Sequence, residues 1–179
     1  RRSVRDYLPN TIEQDTLRLV LEAGRYTATA KNAQGCRFIV VQDELDELKR
    51  LVWDGIEGML ALPAADKPRW VKLYKPFLVD AQAGLQDFLF RNAPAVAFVA
   101  AERADDAGLA AQNMELVAAS LGLGALFNGY LCRAAEELPA VKAFLEAENK
   151  PLQICMLLGH PAVSYRRTAP RRAGDFVMK

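Results

Sequence analysis

The chain has 179 residues, of which 51% are hydrophobic and 25% are charged, and its formal net charge is +1. This length suits one domain with its own core, and the near-neutral charge gives no electrostatic case for a nucleic-acid binder. No apolar run is long enough to span a bilayer, so we expect no membrane segment.

The hydrophobic periodicity predicts a mixed α/β chain. Thr11 and Gln14 form a capping-box pattern, which predicts a helix that continues to Gly24. A buried strand is predicted at 36–42, followed by a helix capped by Asp43. The remaining predicted elements are helical spacing over 70–90 interrupted or started by Pro76, a strand at 94–100, a long helix from Asp105 or Asp106 to Gly122, a strand at 125–131, a helix over 134–147 broken at Pro139, and a strand at 151–158.

Cysteine and histidine content limits the chemistry. The cysteines are Cys36, Cys132 and Cys155, and His160 is the only histidine. An odd number of dispersed cysteines favours free thiols in a reducing compartment, so we expect a cytoplasmic protein. No signal-peptide pattern opens the chain. Because the chain begins with Arg1 and not with Met, we expect its natural N-terminus to lie upstream, and a targeting segment or a fused domain there stays open.

Arginines cluster at both ends of the chain. They are Arg1, Arg2 and Arg5, with Ser3 among them, and Arg166, Arg167, Arg171 and Arg172. A guanidinium presents a planar fork of donors that matches phosphate oxygens, and a serine hydroxyl adds a further donor. Two such clusters can converge on one phosphate group, although each cluster alone is typical of a solvated terminus.

Two internal segments are candidates for ligand contact. The loop from Thr27 to Gln34 has small residues that let a backbone approach a ligand closely, and its amides offer donors and acceptors to a heterocycle edge. The segment Leu121–Gly129 fails as a dinucleotide fingerprint, because its glycines end a helix where a Rossmann turn begins one. Each segment alone is more typical of an ordinary loop or helix end.

Taken in order, these features resemble the nitroreductase family. Arg1-Arg-Ser-Val-Arg5 is similar to its opening Arg-x-Ser-x-Arg/Lys motif, and residues 22–41 are similar to its Ala-Pro-Ser-x-x-Asn-x-Gln-Pro-Trp-x-Phe segment. Ala119-x-x-Gly-Leu-Gly124 resembles its Gly-Leu-Gly turn. Leu158-Gly-His-Pro161 and Pro170-Arg-Arg172 resemble its closing Gly-Tyr-Pro and Pro-Arg-Lys elements. The pattern is most similar to the subgroup often fused to an N-terminal ferredoxin-like iron–sulfur domain.

The resemblance implies an α+β fold in which helices flank a mixed sheet. It further implies that residues 1–179 form a single FMN-binding domain and that two chains make an intertwined homodimer with FMN at the interface. The long helix from Asp106 to Leu121 is expected in that interface, since a chain that splits its cofactor between subunits must dimerise to work.

The resemblance also assigns a part of the cofactor to each motif residue. Arg5 is expected at the pyrimidine edge of the flavin, where a cation stabilises the reduced ring. The phosphate is assigned to Arg1, Ser3, Arg171 and Arg172, with Arg2 contributing its backbone and stem. The ring is assigned to Thr27, Ala28 and Thr29 from a second subunit, to Asn32 and Gln34, and to the backbone N–H groups of Asn128 and Gly129 near N5. No residue is assigned as a catalytic acid or base.

The implied activity is ping-pong transfer of hydride from NADH or NADPH through FMN to a nitroaromatic, a quinone or a similar acceptor. A ferredoxin-type partner is the alternative electron donor. Other functions stay open: another reaction on the same fold, such as reductive dehalogenation or flavin destruction, and a non-catalytic flavin-binding accessory module. A purely structural domain is least favoured, because of the paired arginine clusters.

Overall fold

The computed structural model describes residues 2–178, and its strands form one four-stranded sheet. In chain order they are β1 (Arg37–Val41), β2 (Ala95–Ala100), β3 (Gly124–Phe127) and β4 (Leu152–Gly159). The spatial order is β1-β2-β4-β3, so β1 and β3 form opposite edges. These strands pair antiparallel throughout, and the parallel component of the expected mixed sheet is a bridge between Ser3 and Ala125.

Helices cover both faces of the sheet, as the sequence predicts. The face that we call the α4 face carries α1 (Gln14–Arg25) and α4 (Ala104–Ser120). The other, which we call the α2 face, carries α2 (Leu45–Ala61), the 3₁₀ segment Arg69–Tyr74, α3 (Lys75–Gln82), α5 (Gly129–Glu137) and α6 (Pro139–Phe144). Among residues 2–178, no helix combines the length and the apolar character that crossing a membrane requires.

The two helical layers follow from side-chain alternation along the central strands. Every residue of β2 is buried. Ala97 packs in the core of the α4 face, and its neighbour Phe98 packs in the core of the α2 face. Successive side chains of a strand point to opposite faces, so a strand covered on both sides is a continuous apolar run. The sequence Ala-Val-Ala-Phe-Val-Ala of β2 is such a run.

The predicted N-cap residues of α1, α2 and α4 are wrong, and α4 follows Arg103 instead of Asp105 or Asp106. The N-cap residue of α1 is Glu13 and not Thr11, because the side chain of Gln42 holds the preceding backbone: it accepts from the Ile12 N–H at 2.8 Å and donates to the Ile12 carbonyl at 3.0 Å. Likewise α2 follows Glu44 instead of the predicted Asp43. The side chains of Glu13 and Glu44 make no capping hydrogen bond.

Proline and glycine mark other boundaries as predicted. Pro76 lies in the first turn of α3, where its fixed φ suits a helix start. Gly122 has a φ of +79°, the left-handed conformation that commonly ends a helix, and it follows Leu121, the C-cap residue of α4. The predicted strand at 125–131 is too long, because it ends at Phe127 and α5 begins at Gly129.

Candidate functional site

A cavity of about 430 Å³ opens beside β3 and the start of α5, and we call it the β3 pocket. Its walls come from the N-terminal segment, the 3₁₀ segment, the chain before β2, and the β3–α5 junction. The lining residues are Arg5, Leu73, Tyr74, Phe88, Arg91, Leu126, Phe127, Asn128, Gly129, Tyr130 and Arg133. Three of the residues predicted for the cofactor, Arg5, Asn128 and Gly129, are therefore brought together.

Close packing along β3 positions Arg5. The N–H of Val4 donates to the Ala125 carbonyl at 3.0 Å. Gly124 permits this approach, because a Cβ on it would lie 2.7 Å from the Cβ of Val4. Val4 is buried while Arg5 is exposed, as expected for neighbours on an extended segment. The Arg5 guanidinium therefore lies at the pocket and not in the core.

Asn128 holds the β3–α5 junction. Its side-chain oxygen accepts from the Leu131 N–H at 3.0 Å, and its amide nitrogen donates to the Leu89 carbonyl at 2.5 Å. Its backbone N–H donates to the Cys155 carbonyl at 2.9 Å. Those bonds correct the expectation that the Asn128 N–H faces a ligand, because this N–H is already used within the sheet.

The backbone N–H of Gly129 is available for the role that the resemblance implies. As the first residue of α5, it has no intrahelical acceptor for its N–H, and no protein acceptor for that group exists within residues 2–178. The residue is exposed in the β3 pocket. Its N–H, together with the positive end of the helix dipole, can donate to an electron-rich ligand atom.

The two arginine-rich ends of the chain meet at the expected Arg2 and Ser3, but the tail contributes Tyr165 and Arg167 instead of Arg171 and Arg172. The Tyr165 hydroxyl donates to the Ser3 carbonyl at 3.2 Å. The Arg2 guanidinium lies 4.3 Å from the centre of the Tyr165 ring and donates to the Arg167 carbonyl at 3.4 Å. Convergence of the chain ends therefore involves residues 165–167.

Other members of the predicted phosphate site are not gathered within one chain. Arg171 and Arg172 lie in the exposed tail, which has no helix or strand over residues 162–178. Within the described residues, neither of them contacts Ser3. Arg1 lies outside the described residues.

The loop from Thr27 to Gln34 lies elsewhere, at the β1 edge. Asn113 of α4 donates to the Thr27 hydroxyl at 2.8 Å, and the Gln34 N–H donates to the Thr29 hydroxyl at 2.9 Å. The side chains of Asn32 and Gln34 bond each other at 3.1 Å, and Ala28 is exposed beside them.

The backbone of this loop is strained. Lys31, Asn32 and Gln34 have φ values of 55°, 53° and 48°, in the left-handed region that costs a non-glycine residue about 1–3 kcal/mol. Their side chains are exposed. Strain of this kind is concentrated at ligand sites, so it supports a binding role for the loop.

The loop and the β3 pocket lie at opposite edges of the sheet. The loop leads into β1, whereas the pocket is lined by β3, and β2 and β4 lie between these edges. Three strand spacings amount to roughly 14 Å. Within one chain, the two segments that are expected to bind the same flavin ring therefore lie far apart.

Sequence reasoning missed an aromatic wall of the β3 pocket. Phe77 and Phe88 stack with ring centres 3.9 Å apart, and Tyr130 meets both rings edge-on at 5.5 and 5.6 Å. The Tyr74 hydroxyl donates to the Tyr130 carbonyl at 2.8 Å. Burial raises the pKa of Tyr74 to about 12, so it stays a neutral donor. The signal in the sequence is the density of aromatic residues between Trp70 and Phe90.

The thiols do not form a reactive centre. Cys132 and Cys155 are buried, and burial raises the pKa of the Cys132 thiol to about 12 and that of Cys155 well above its ordinary value. A protonated, buried thiol is a poor nucleophile. In the described part of the chain, no cluster of three histidine, cysteine or carboxylate side chains could hold a metal ion.

Solved structures share this fold. The chain superimposes on an FMN-bound nitroreductase from Bacteroides fragilis with a TM-score of 0.77 and 23% identity, over 99% of this chain and 94% of that one. An FMN complex from Desulfovibrio desulfuricans gives a TM-score of 0.66 and 26% identity, over 97% and 87%. A Bacteroides thetaiotaomicron structure, named for NADH dehydrogenase and NAD(P)H nitroreductase, gives 0.61 and 25%, over 98% and 88%.

Sequence comparison gives the family directly. No curated protein matches the chain. The sequence model of the Nitroreductase family, however, matches residues 1–160, which is most of the chain and includes Arg5, the Thr27–Gln34 loop and Gly129. The chain belongs to the nitroreductase family.

Proposed function

We propose that residues 1–179 form one FMN-binding domain and that two copies make an FMN-dependent oxidoreductase. The observation that carries this proposal is the separation of the ligand-binding segments. Arg5 and Gly129 line the β3 pocket, whereas the strained Thr27–Gln34 loop lies at the far edge of the sheet. A second copy that brings its own loop to the first copy's β3 pocket completes the site.

Exposed apolar side chains on the α4 face support the binding of a second copy of the chain there. Leu109 and Leu116 are 57% and 51% exposed, and their seven-residue spacing places them on one side of α4. Leu19 and Tyr26 of the α1 region are 55% and 77% exposed on the same layer. Apolar groups gathered in this way mark an interaction surface. Asn113 of α4 anchors the Thr27–Gln34 loop to this layer. A dimer formed through this layer therefore brings the loop of one chain to the other chain.

The residues of the β3 pocket fit a flavin. An isoalloxazine ring is flat, apolar on its faces and polar at its edges, and this pocket offers aromatic walls, the free N–H of Gly129 and the cation of Arg5. Bound FMN supplies reversible two-electron chemistry. Arg5 is proposed at the pyrimidine edge, and the Gly129 N–H at N5.

The phosphate end of FMN is proposed to bind at the chain termini. Ser3 lies where the two arginine-rich ends meet, and the guanidinium groups of Arg171 and Arg172 are exposed and free to reach it or a partner's copy of it. We keep Arg1 and Arg2 in this group. Thr27, Ala28 and Thr29 are proposed to pack on the ring of the partner's site, with Asn32 and Gln34 beside them.

The proposed reaction uses NADH or NADPH as donor and a nitroaromatic or quinone as acceptor, in a ping-pong sequence. For a nitro compound, NAD(P)H, one proton and R–NO₂ give NAD(P)⁺, R–NO and water, so two electrons and two protons reach the acceptor. Solvent supplies the proton, since the pocket has no acidic side chain. The name of the Bacteroides thetaiotaomicron relative supports the nicotinamide donor. The dispersed free thiols support a cytoplasmic location.

The absorbance spectrum of the purified protein is the first test. We expect flavin bands and release of FMN, and not FAD, on denaturation. Failure of the protein to bind added FMN would contradict the proposal. Steady-state oxidation of NADH or NADPH with a quinone then separates an enzyme from a flavin-binding accessory module. If neither nicotinamide reduces bound FMN, a ferredoxin-type protein becomes the favoured donor.

A further inference from the structure

The β3 pocket is cationic. Arg5, Arg91 and Arg133 line it, and no aspartate or glutamate does. No carboxylate within residues 2–178 forms an ion pair with any of the three, including Glu137, which lies one helical turn beyond Arg133. A concave site lined by one sign of charge raises the local concentration of ligands of the opposite sign. The pocket is therefore suited to anions.

Aromatic rings hold two of these guanidinium groups. Arg91 lies 4.5 Å from the centre of the Phe88 ring, and Arg133 lies 5.9 Å from the centre of the Trp70 ring. A guanidinium that stacks on a ring keeps its N–H edge free for a carboxylate. Trp70 is only 6% exposed, and its indole N–H has no hydrogen-bond partner in the described chain.

The backbone around Arg91 is also fixed at a cost. Arg91 and Asn92 have φ values of 55° and 54°, which is strained for side-chain-bearing residues. A turn holds them there: the carboxylate of Asp87 accepts from the Phe90 N–H at 2.9 Å, and the carbonyl of Asp87 accepts from the Arg91 N–H at 2.8 Å. Arg91 is thus held at the rim of the pocket.

A neighbouring cavity has the opposite character. It has a volume of about 690 Å³ and shares Arg5 and Arg91 with the β3 pocket. Its lining also contains four carboxylates, those of Asp6, Asp54, Glu57 and Asp87. Arg5 and Arg91 therefore lie between an acidic cavity and the β3 pocket. Arg133, by contrast, lines the β3 pocket and not the acidic cavity.

We propose that Arg133, supported by Arg91, makes the β3 pocket selective for flat aromatic acceptors that carry a carboxylate or a similar anion. The acceptor binds beside the exposed ring of Tyr130, next to the flavin proposed for this pocket, and its anion pairs with the free edge of the Arg133 guanidinium. Tyr130 is 44% exposed, so its ring is accessible to such a ligand. This inference rests on the proposed function and adds the charge of the acceptor to it.

Two acceptors of nearly equal shape test the charge preference: 4-nitrobenzoate, an anion, and 4-nitrobenzamide, which is neutral. The FMN-loaded protein is reduced by light with EDTA under anaerobic conditions, so that the result does not depend on the nicotinamide donor. Reoxidation by each acceptor is then followed from the flavin absorbance. We expect a higher second-order rate constant for 4-nitrobenzoate, and a fall in this preference as NaCl is added.

Three variants locate the preference. Arg133→Gln should reduce the preference for 4-nitrobenzoate about tenfold, the equivalent of one charge-assisted hydrogen bond. It should lower the rate constant for 4-nitrobenzoate more than that for 4-nitrobenzamide. Arg133→Lys keeps the charge and should restore most of the preference. Arg69→Gln is the matched control, because Arg69 is an exposed arginine beside Trp70 that lines no described cavity, and it should behave as wild type.

The outcomes separate this inference from the proposed function. A protein that binds no FMN overturns both. If the protein binds FMN but its reduced flavin is reoxidised equally fast by both acceptors, or the preference does not depend on salt, the charge preference is overturned. The proposed oxidoreductase function then still stands. Equal losses with both acceptors in Arg133→Gln also overturn it. If that variant fails to fold, the salt dependence of the wild type still decides the question.

Discussion

The two faces of the sheet are covered in different ways. On the α2 face, four helices and a 3₁₀ segment enclose large side chains such as Trp70, Tyr74 and Phe90. On the α4 face of the described chain, two helices, α1 and α4, lie on the sheet, and small residues such as Ala107 and Ala111 fill the contact. Small residues let helices approach closely but bury little area per residue.

This difference gives the two faces different roles. The α2 face encloses its own core and opens at one edge into the β3 pocket. The α4 face leaves Leu109 and Leu116 exposed, so its outer surface remains available for a further layer. We infer that the first face supplies most of the ligand pocket and that the second supplies the contact with another copy.

The largest effect is expected from charge on the outer surface of α4. The double substitution Leu109→Arg and Leu116→Arg places two cations in the proposed dimer contact, where unpaired charges are costly to bury. We expect a monomer by light scattering, with loss of the FMN absorbance bands. Val79→Arg, at a side chain 54% exposed on α3, is the control and should stay dimeric. A variant that is still a dimer with bound FMN would place the contact elsewhere.

A large loss of stability, without loss of the dimer, is expected on the α2 face. Ile56 is fully buried in that core, and Ile56→Ala leaves a cavity that costs about 2–5 kcal/mol. Urea unfolding at one fixed protein and FMN concentration measures this, because the stability of a dimer depends on concentration. Glu57→Ala, the exposed next position on α2, should change the free energy of unfolding by less than about 0.5 kcal/mol. Dissociation of Ile56→Ala into folded monomers would contradict the different roles of the two faces.

Substitution of two helix glycines should change the free energy of unfolding by smaller amounts, and in opposite directions. Gly24 lies where α1 packs against β1 and α4. A Cβ there would be 2.7 Å from Cε1 of Phe38 and 2.9 Å from the sulfur of Met114. Overpacking of this kind costs about 1–3 kcal/mol, which exceeds the gain in helix propensity. We expect Gly24→Ala to destabilise the protein in urea unfolding.

Gly58 in α2 is the matched control, because nothing lies within 4 Å of a Cβ added there. Gly58→Ala should therefore stabilise the protein by up to about 1 kcal/mol, through helix propensity alone. Stabilisation by both substitutions would show that α1 can move away from the sheet and that the α4 face is loosely packed.

Local patterns predicted the two helical layers well, but they did not contain the long-range contacts that shape the candidate site. The apolar run of β2, the proline in the first turn of α3 and the left-handed glycine just beyond α4 depend on neighbouring residues, so the sequence predicts them. The cap of α1 is set by Gln42, thirty residues away, and no local pattern contains it. The same reason explains Asn128: its N–H is used by Cys155 of β4, which only the fold brings beside it.

The cations of the β3 pocket show the same limit. Arg5 was predicted because it belongs to a motif with Ser3. Arg91 and Arg133 are isolated in sequence, and their role depends on the rings of Phe88 and Trp70 beneath them. Their lack of acidic partners is a property of the folded chain and has no signature in composition, where acids and bases nearly balance.

The smallest effect on the free energy of unfolding is expected at alkaline pH, and it arises from the core of the α2 face. The core of this face contains Tyr7, Tyr74, Cys132 and Cys155, and burial raises the pKa of each. On the α4 face the corresponding group is the half-buried Cys36, whose pKa burial also raises. Alkaline destabilisation should therefore come mainly from the α2 face.

Tyr74 gives the sign of the effect. Its pKa is about 12 in the folded protein and near 10 when unfolded, so the folded state keeps the proton that the unfolded state releases. The contribution of Tyr74 to stability is complete below pH 10 and is lost as the pH rises from 10 towards 12. Tyr74→Phe removes this dependence and also the hydrogen bond to the Tyr130 carbonyl, which is worth about 1 kcal/mol.

Unfolding free energies at pH 7, 8, 9, 10 and 11 test this. At pH 7 and 8 the variant should be less stable than wild type by a constant amount, which serves as the internal control. Above pH 9 the two curves should converge, because wild type loses up to about 1.4 kcal/mol per pH unit that the variant does not lose. Parallel curves up to pH 11 would show that Tyr74 is solvated in the folded protein, and the closed core assigned to the α2 face would then be wrong around the β3 pocket.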